Sequence, residues 1–390
     1  MRLLATLGLL AITLSASAAA SPRAVPPIAY GVADDASKYA DDGGARFYAG
    51  LPGAGLTQNR WTLAWNPGKP TAIEELPFLE RAAPIAQRAG VRVQLAMYSK
   101  VASKHDPEDF CAWAGKVAGT VKKWGITELI VGNEPNTRLF WLPQKDAQGR
   151  DVAGAAFGAL LARCYDTIKE ASPGAKVIGM GLSPRASTPK STEPLTFLRD
   201  VGKWYRASGR TRPLMDQLAL HPYSNPSSPT DGPNVGYPSR QRYGISNLSR
   251  VKQAVWDAFH GTAQPTTLEG LTFRIDEVGW QVDTKGLPGY VNSENVATVD
   301  EATQAAHLAE MVQEYFACDP AVTDVLLFLL VDEPYRNGRD AKGKPLGGGW
   351  QSGLMTVGGQ QREAYRTMGQ LAAKGRGACA TRQIAWSPRR

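Results

Sequence analysis

The hydrophobic and polar residues of this chain alternate between two periods. Short apolar runs rich in β-forming residues are separated by longer segments with the 3.6-residue period of amphipathic helices. The apolar runs predict eight strands, near Ile28–Val32, Asn59–Ala64, Val91–Ala96, Glu128–Val131, Lys176–Met180, Gln217–Leu220, Thr272–Asp276 and Val325–Val331. Strands that alternate with helices in this way are typical of repeated βα units and a parallel sheet.

Residues that favour helix ends mark several of the intervening helices. Asp106 is suited to cap a helix, because Pro107 occupies the first helical position and acidic residues follow it. This helix is expected to end before Gly125. A second helix is predicted over residues 152–171, and residues 298–301 have the sequence of a capping box that opens another.

The order of elements predicts an α/β fold, a (β/α)8 TIM barrel that forms a single domain over residues 25–385. A doubly wound open sheet gives a similar pattern, but no glycine-rich phosphate loop follows the first strand. Two long connections, residues 222–244 and 332–353, follow strands six and eight. Both are expected at the C-terminal mouth of the barrel, where barrel enzymes form their active sites.

The first twenty residues have the features of a secretory signal peptide. Arg2 is followed by the apolar stretch Leu3–Leu14 and by a small-residue cleavage motif within residues 16–20. The stretch is shorter than the ~20 residues of a transmembrane helix. We therefore expect a secreted protein that does not insert into a membrane.

Composition limits the classes of partner. The formal net charge is +8, but Lys and Arg are scattered along the chain, which favours a solvated basic surface over a nucleic-acid site. The basic balance also gives some weight to an acidic polysaccharide as substrate. Neither closely paired histidines nor a Cys-x-x-Cys motif occurs, so we expect no metal and no other cofactor.

The four cysteines of an exported chain predict two disulfides, for which three pairings are possible. We predict the bonds Cys111–Cys164 and Cys318–Cys379, because each joins neighbouring segments of the proposed element order.

Two glutamates stand at strand ends on opposite sides of the expected barrel. Glu134 follows strand four and Glu277 follows strand seven. Retaining glycoside hydrolysis needs two carboxyl groups about 5–5.5 Å apart, one as nucleophile and one as acid and then base. Asp276 and Glu333 are competing carboxylates. We expect Asp276 to point away from Glu277 by strand alternation, and Glu333 to lie beyond strand eight.

The motifs around these glutamates resemble those of clan A glycoside hydrolases. Asn133-Glu134-Pro135 and Glu277-Val-Gly-Trp280 carry the resemblance, and most of the chain shows further matches: Arg60, His221-Pro-Tyr223, Trp350 with Ser352-Gly353-Leu354, and Arg362-Glu-Ala-Tyr365. Within the clan the chain is most similar to families 5 and 39. The resemblance implies cleavage of a β- or α-L-glycoside in a polysaccharide or oligosaccharide, with retention of configuration.

Roles for individual residues follow from this resemblance. It implies that Glu134 is the acid/base and carries the proton at rest, and that Glu277 is the ionised nucleophile. Arg60 is expected to support Glu277, with Tyr223 as a second candidate partner. Asn133 is expected to bind the 2-hydroxyl of the sugar.

Three further residues are candidates for substrate binding: His221, Trp280 and Trp350. The tryptophans are candidate stacking surfaces for a sugar ring, whereas His221 and Trp350 also have an ordinary packing interpretation. Alternatives to a hydrolase are a glycan-binding barrel without activity and a transglycosylase that uses the same glutamates. In each case a carbohydrate is the expected partner and a monomer the expected state.

Overall fold

The computed structural model describes residues 25–186, 188–224, 226–230, 240–290, 297–333 and 349–389. The predicted signal peptide and parts of both long connections lie outside these residues. In the part of the chain that is described, no helix combines the length and apolar character needed to cross a bilayer.

Eight parallel strands close into a barrel in chain order, with β8 beside β1. The strands are β1 (Ala29–Ala33), β2 (Gln58–Trp65), β3 (Arg92–Ser99), β4 (Glu128–Val131), β5 (Lys176–Leu182), β6 (Gln217–Leu220), β7 (Thr272–Val278) and β8 (Val322–Leu327). The predicted TIM barrel is therefore confirmed.

Helices cover the outside of the barrel. Within the described ranges they are α1 (Ala36–Tyr39), α2 (Ala45–Gly50), α3 (Leu76–Arg88), α4 (Pro107–Val121), α5 (Ala153–Ala171), α6 (Pro194–Ala207), α7 (Leu248–Phe259), α8 (Glu301–Glu310) and α9 (Glu363–Lys374). A π-helical turn, Met311–Phe316, extends α8. The buried residues of α3 show why these helices pack on the sheet, because they recur at helical spacing: Leu79, Ala82, Ala83 and Ala86.

The helix caps agree with the sequence in one case and differ in another. The Asp106 carboxylate accepts the N–H groups of Glu108 and Asp109, as an N-cap should. Helix α8 is capped by Asp300, which accepts the N–H of Thr303. The predicted capping box at residues 298–301 was therefore wrong, because the chain turns into the helix two residues later than the pattern indicated.

Strand β8 also differs from its prediction, which placed it at Val325–Val331. The strand ends at Leu327. Beyond it, the backbone N–H groups of Leu330 and Val331 point to the carboxylate of Asp34, at 3.0 and 3.5 Å. The apolar sequence continues beyond Leu327, but these backbone N–H groups bond to a side chain and not to a neighbouring strand.

The barrel interior consists of three layers of inward-facing side chains. The lower layer is polar and hydrogen-bonded: Gln58, Gln94, Glu128, Gln217, Arg274 and Asp324. The middle layer is a small apolar cluster: Ala96, Ile130, Ile178 and Ala219. The upper layer is polar again, and it contains Arg60, His221 and Asp276. Most apolar burial therefore lies between the sheet and the helices.

Both predicted disulfides are present. Cys111–Cys164 joins α4 to α5, and Cys318–Cys379 joins the turn after α8 to the segment after α9. The cysteine pairing is therefore confirmed.

We predict that these bonds leave no free thiol and contribute substantially to stability. The Cys111–Cys164 bond closes a loop of 53 residues, so its loss in the double variant Cys111→Ser/Cys164→Ser should lower the free energy of unfolding by about 2–4 kcal/mol. Thiol titration of the denatured, unreduced protein and urea unfolding measure the two effects. Two or more reactive thiols in the wild type would contradict the pairing.

Candidate active site

Glu134 is placed at the barrel mouth by a strained turn after β4. Gly132 has φ +96°, and a Cβ there would come within 2.9 Å of the Phe157 ring. Glu134 itself has φ +43°, in the left-handed region that non-glycine residues rarely adopt. Its backbone N–H donates to the Gly181 carbonyl at 2.8 Å. Such strain persists where the surroundings hold it, and it is common at functional sites.

Two buried amides hold the loop that follows Glu134. Asn136 accepts the N–H of Ser183 at 3.0 Å and donates to the Ser183 and Thr192 carbonyls. Gln144 donates to the Pro135 carbonyl at 2.8 Å and accepts the N–H of Thr192 at 3.0 Å. The Glu134 turn is therefore fixed to the neighbouring loop after β5.

Glu277 and Asp276 face the same guanidinium, which corrects one expectation. Between the pairs Ile275–Val325 and Val278–Leu327, the register of β7 against β8 shifts. This bulge interrupts the alternation of side chains. Asp276 is fully buried below Glu277 and pairs with Arg60. The prediction from simple alternation, that Asp276 points away from Glu277, was therefore wrong.

Arg60 contacts three side chains at the floor of the barrel mouth. Its Nη1 lies 2.7 Å from the Glu277 carboxylate, and its Nη2 donates to the Asn133 side-chain oxygen at 2.8 Å. Its Nε forms an ion pair with Asp276 at 2.9 Å. The guanidinium is 2% exposed, so these charges interact with little solvent screening.

His221 and Tyr223 complete the cluster from the loop after β6. The Tyr223 hydroxyl donates to Glu277 at 3.0 Å. One ring nitrogen of His221, Nδ1, lies 3.3 Å from Glu134 and 3.6 Å from Glu277, and the other lies 3.5 Å from Asp276. The structure thus brings together six of the eight predicted site residues.

The electrostatics of the cluster follow from burial and nearby charge. Burial opposes protonation of His221, but Glu277, Asp276 and Glu134 outweigh it and raise its pKa to about 10. Burial, with the Glu277 charge, also raises the pKa of Tyr223, which therefore stays a hydrogen-bond donor. Burial would raise the pKa of Asp276, yet Arg60 and His221 lower it. Asp276 is thus an ionised partner of two cations.

A cavity of about 760 Å³ opens above these residues. Glu134, Glu277, Asn133 and Tyr223 contribute to its floor and walls. The other described lining residues are Thr62, Tyr98, Leu139, Phe140, Ser183, Pro184, Arg185, Gly279, Gln281, Ala297, Phe328 and Trp350. Pockets of this size accommodate small organic ligands.

Aromatic side chains form two walls of this cavity, and sequence reasoning missed three of them. Tyr98 and Phe140 meet edge to face at 5.5 Å between centroids. Phe328 meets Trp350 at 6.0 Å and Tyr223 at 6.4 Å. Alternation along β3 could have found Tyr98, because it shares the inward face with the residues two and four positions before it. Nothing comparable marks Phe140 or Phe328.

The two predicted stacking tryptophans have different environments. Trp350 is 38% exposed and lines the cavity. Trp280 is fully buried, its indole N–H donates to the Ser227 carbonyl at 2.9 Å, and its ring packs on His307. The prediction of Trp280 as a sugar-stacking residue is therefore wrong, because its faces are covered by protein.

Among the described residues, no group of three or more His, Cys, Asp or Glu side chains is arranged to hold a metal ion. The polar groups of the cavity are carboxylates, amides, hydroxyls and one arginine, which suit the hydroxyl groups of a sugar.

Solved structures with a similar fold include glycoside hydrolases of two families. A family 5, subfamily 18 enzyme from Streptomyces cattleya, in complex with GlcNAc, has a TM-score of 0.58 at 15% identity, covering 94% of this chain and 83% of that one. A family 39 enzyme from the gut symbiont Bacteroides cellulosilyticus WH2 has a TM-score of 0.56 at 17% identity, over 89% and 64%. A family 39 β-xylosidase from Caulobacter crescentus has a TM-score of 0.54 at 15% identity, over 90% and 73%.

The chain has the fold of these glycoside hydrolases. The expected resemblance to families 5 and 39 of clan A is thus confirmed at the level of structure. The chain spans less than two thirds of the length of the B. cellulosilyticus structure. No protein-family model matches the sequence, and no curated protein matches it.

We predict that the charge of His221 stabilises the folded protein in a pH-dependent manner. Its pKa of about 10 in the folded protein exceeds the ordinary histidine pKa of 6.5, so the stabilisation is complete below pH 6.5. It is lost as the pH rises through about 10. The unfolding free energy of wild type relative to His221→Gln, measured in urea, should fall between about pH 6 and about pH 10. A difference that is independent of pH would contradict the charged state.

We predict that replacing Trp280 lowers the stability of the protein more than replacing Trp350. Trp280→Ala removes a fully buried ring and should lower the free energy of unfolding by about 3–5 kcal/mol. Trp350→Ala removes a partly exposed ring and should lower it by roughly 1 kcal/mol or less. Equal losses in chemical denaturation would show that the two environments are not as described.

Proposed function

We propose that the chain is a retaining glycoside hydrolase that cleaves an O-glycosidic bond in a polysaccharide or oligosaccharide. Glu277 is the nucleophile and Glu134 the acid/base. The observation that carries this proposal is the shared contact of both carboxylates with His221 Nδ1, at 3.3 and 3.6 Å, at the floor of the cavity.

The separation of the carboxylates supports retention over inversion. Because both oxygens lie within 3.6 Å of the same nitrogen, they are less than about 7 Å apart. Retaining enzymes hold the two carboxyl groups about 5–5.5 Å apart, whereas inverting enzymes leave about 6.5–9.5 Å for a water molecule. This upper bound, which applies to one oxygen of each carboxylate, is compatible with the retaining distance.

The charges of the site support the division of roles. Three carboxylates, Glu134, Asp276 and Glu277, share two cations, Arg60 and the protonated His221. With all three carboxylates ionised, the cluster carries one net negative charge. A proton on one carboxylate removes this charge. Glu277 accepts hydrogen bonds from the Arg60 guanidinium and the Tyr223 hydroxyl, which suit it to the role of nucleophile, and we assign the acid/base role to Glu134.

The reaction follows from these assignments. Glu277 attacks the anomeric carbon while Glu134 gives its proton to the departing oxygen, and a covalent glycosyl-enzyme forms. Glu134 then takes a proton from water, and the resulting hydroxide releases the sugar from Glu277. Asn133, held by Arg60 at 2.8 Å, presents its amide to the 2-hydroxyl, where a hydrogen bond strengthens as positive charge develops on the sugar.

Export from the cell is part of the proposal. Residues 1–20 have the order of features of a signal peptide, and both disulfides are of the kind that persists in oxidising surroundings. A soluble polysaccharide or oligosaccharide outside the cell is the corresponding substrate.

The test is activity on a panel of aryl glycosides and of plant and bacterial polysaccharides. We expect wild type to cleave one class of substrate, and Glu277→Ala to lose roughly 10³-fold or more in kcat. Azide should restore turnover of Glu277→Ala by forming a glycosyl azide of inverted configuration. Glu134→Ala should keep most of its kcat/KM on substrates with a good leaving group, because these need little protonation in the first step. Its kcat should still fall, because the base of the second step is missing.

The same panel distinguishes the alternatives. Products extended by an added acceptor sugar would identify a transglycosylase. A wild type that binds a glycan but cleaves nothing, and that behaves like both variants, would indicate a binding barrel and overturn the enzyme proposal.

A further inference from the structure

The mouth of the barrel is unevenly charged. The loops after β4 and β5, residues 135–152 and 183–193, together carry five Lys or Arg and three Asp or Glu. The loops after β2 and β3, residues 66–75 and 100–106, carry three of each. An excess of positive charge therefore lies on the side of the cavity that contains Glu134.

The loops after β4 and β5 form one continuous surface. The backbone N–H of Arg138 donates to the Ser191 hydroxyl at 3.2 Å, and the N–H of Thr192 donates to the Asn136 carbonyl at 3.1 Å. Because the loops are bonded to each other, the charges of both act on the same region of the cavity.

Part of the positive charge is neutralised within the first loop. Lys145 pairs with Asp151 at 2.9 Å, and Arg150 pairs with Asp146 at 2.6 Å. The side chains of Arg138, Arg185 and Lys190 are exposed to solvent. The acidic residue of the second loop, Glu193, pairs with Arg242, which lies outside both loops.

Arg185 brings this charge into the cavity. Among the described lining residues, the charged side chains are Glu134, Glu277 and Arg185. Arg185 follows β5, the strand whose Gly181 carbonyl accepts the N–H of Glu134, so it lies on the acid/base side of the site. The group that Glu134 protonates is the leaving oxygen, and the sugar beyond that oxygen therefore lies on this side.

We infer that the leaving-group side of the cavity binds an acidic sugar, with Arg185 pairing with its carboxylate. The planar guanidinium offers two parallel N–H donors to a carboxylate, and Arg138 and Lys190 add a long-range attraction for the anionic chain. Leu139, which is 70% exposed and lines the same cavity, offers an apolar contact to the face of the sugar. The assignment of this side to the leaving group rests on the proposed function.

The test compares binding of acidic and neutral probes to the isosteric variant Glu277→Gln, which leaves the Glu134 side intact and prevents turnover. The probes are oligosaccharides of glucuronate, galacturonate and mannuronate, each beside its carboxyl-reduced counterpart. We expect at least one acidic probe to bind about tenfold more tightly than its reduced form in calorimetric titration. High salt should reduce this ratio, because exposed charges are screened.

Substitutions in the same background assign the effect to one side chain. Arg185→Gln should bring the ratio of the affinities for the acidic and the carboxyl-reduced probe close to one. Arg185→Glu should reverse the preference, and Arg185→Lys should retain part of it. Arg46→Gln is the matched control, because Arg46 lies on α2, outside the cavity lining, with its side chain 94% exposed. The control should leave the ratio unchanged.

The outcomes separate this inference from the proposed function. Equal binding of acidic and reduced probes, no binding of any probe, or a preference that survives Arg185→Gln would overturn the inference. Sulfated galactan oligosaccharides are an additional arm, and tight binding of these alone would overturn the assignment to a carboxylate. Acidic preference that depends on Arg185, together with a wild type that cleaves no glycoside, would keep the binding inference and contradict the hydrolase.

Discussion

The buried guanidinium of Arg60 is the interaction on which the geometry of the site depends. It lies between Asp276, Glu277 and Asn133, and each of its nitrogen atoms contacts a different one of them. Desolvating these charges costs several kcal/mol per ion, so the arrangement is stable only while all partners remain paired. The same contacts that neutralise Glu277 also fix the Asn133 side chain at the wall of the cavity. Charge balance in the buried cluster and the orientation of Asn133 are therefore one requirement.

The layers of the barrel explain how this charge is supported. The upper polar layer is separated from the lower polar layer, around Arg274, by four small or branched apolar side chains. In each polar layer a buried arginine pairs with two carboxylates: Arg274 contacts Glu128 at 2.5 Å and Asp324 at 3.5 Å, as Arg60 contacts Asp276 and Glu277 above. Since the interior contributes little apolar burial, the helix–sheet contacts supply most of the hydrophobic stabilisation, and the interior is available for chemistry.

The sequence predicted those parts of the structure in which local pattern and tertiary contact agree. Strands β4 and β6 are uniformly buried, and both have their predicted bounds. Glu134 and Glu277 were identified because each follows a predicted strand, although β7 extends past Glu277 to Val278 in the structure. The pattern was misleading where a tertiary contact overrides it: a bulge in β7 places Asp276 beside Glu277, and the Ser227 carbonyl draws Trp280 into the core. Phe140 enters the cavity from an irregular loop, and no local period encodes that position.

The two glutamates are similarly exposed, 18% and 14% at the side chain, so solvent access alone does not differentiate them. Their donors do. Glu277 receives a guanidinium and a phenol hydroxyl, whereas the described contacts of the Glu134 side chain are with His221, which it shares with the other carboxylates. Proton transfer requires a group whose charge can change without breaking the cluster. Protonating Glu277 would leave Arg60 with one ionised carboxylate fewer in a dry site, whereas protonating Glu134 weakens one long contact of 3.3 Å. The asymmetry of the donors therefore fits the roles proposed for the two residues, Glu134 as the acid/base and Glu277 as the nucleophile.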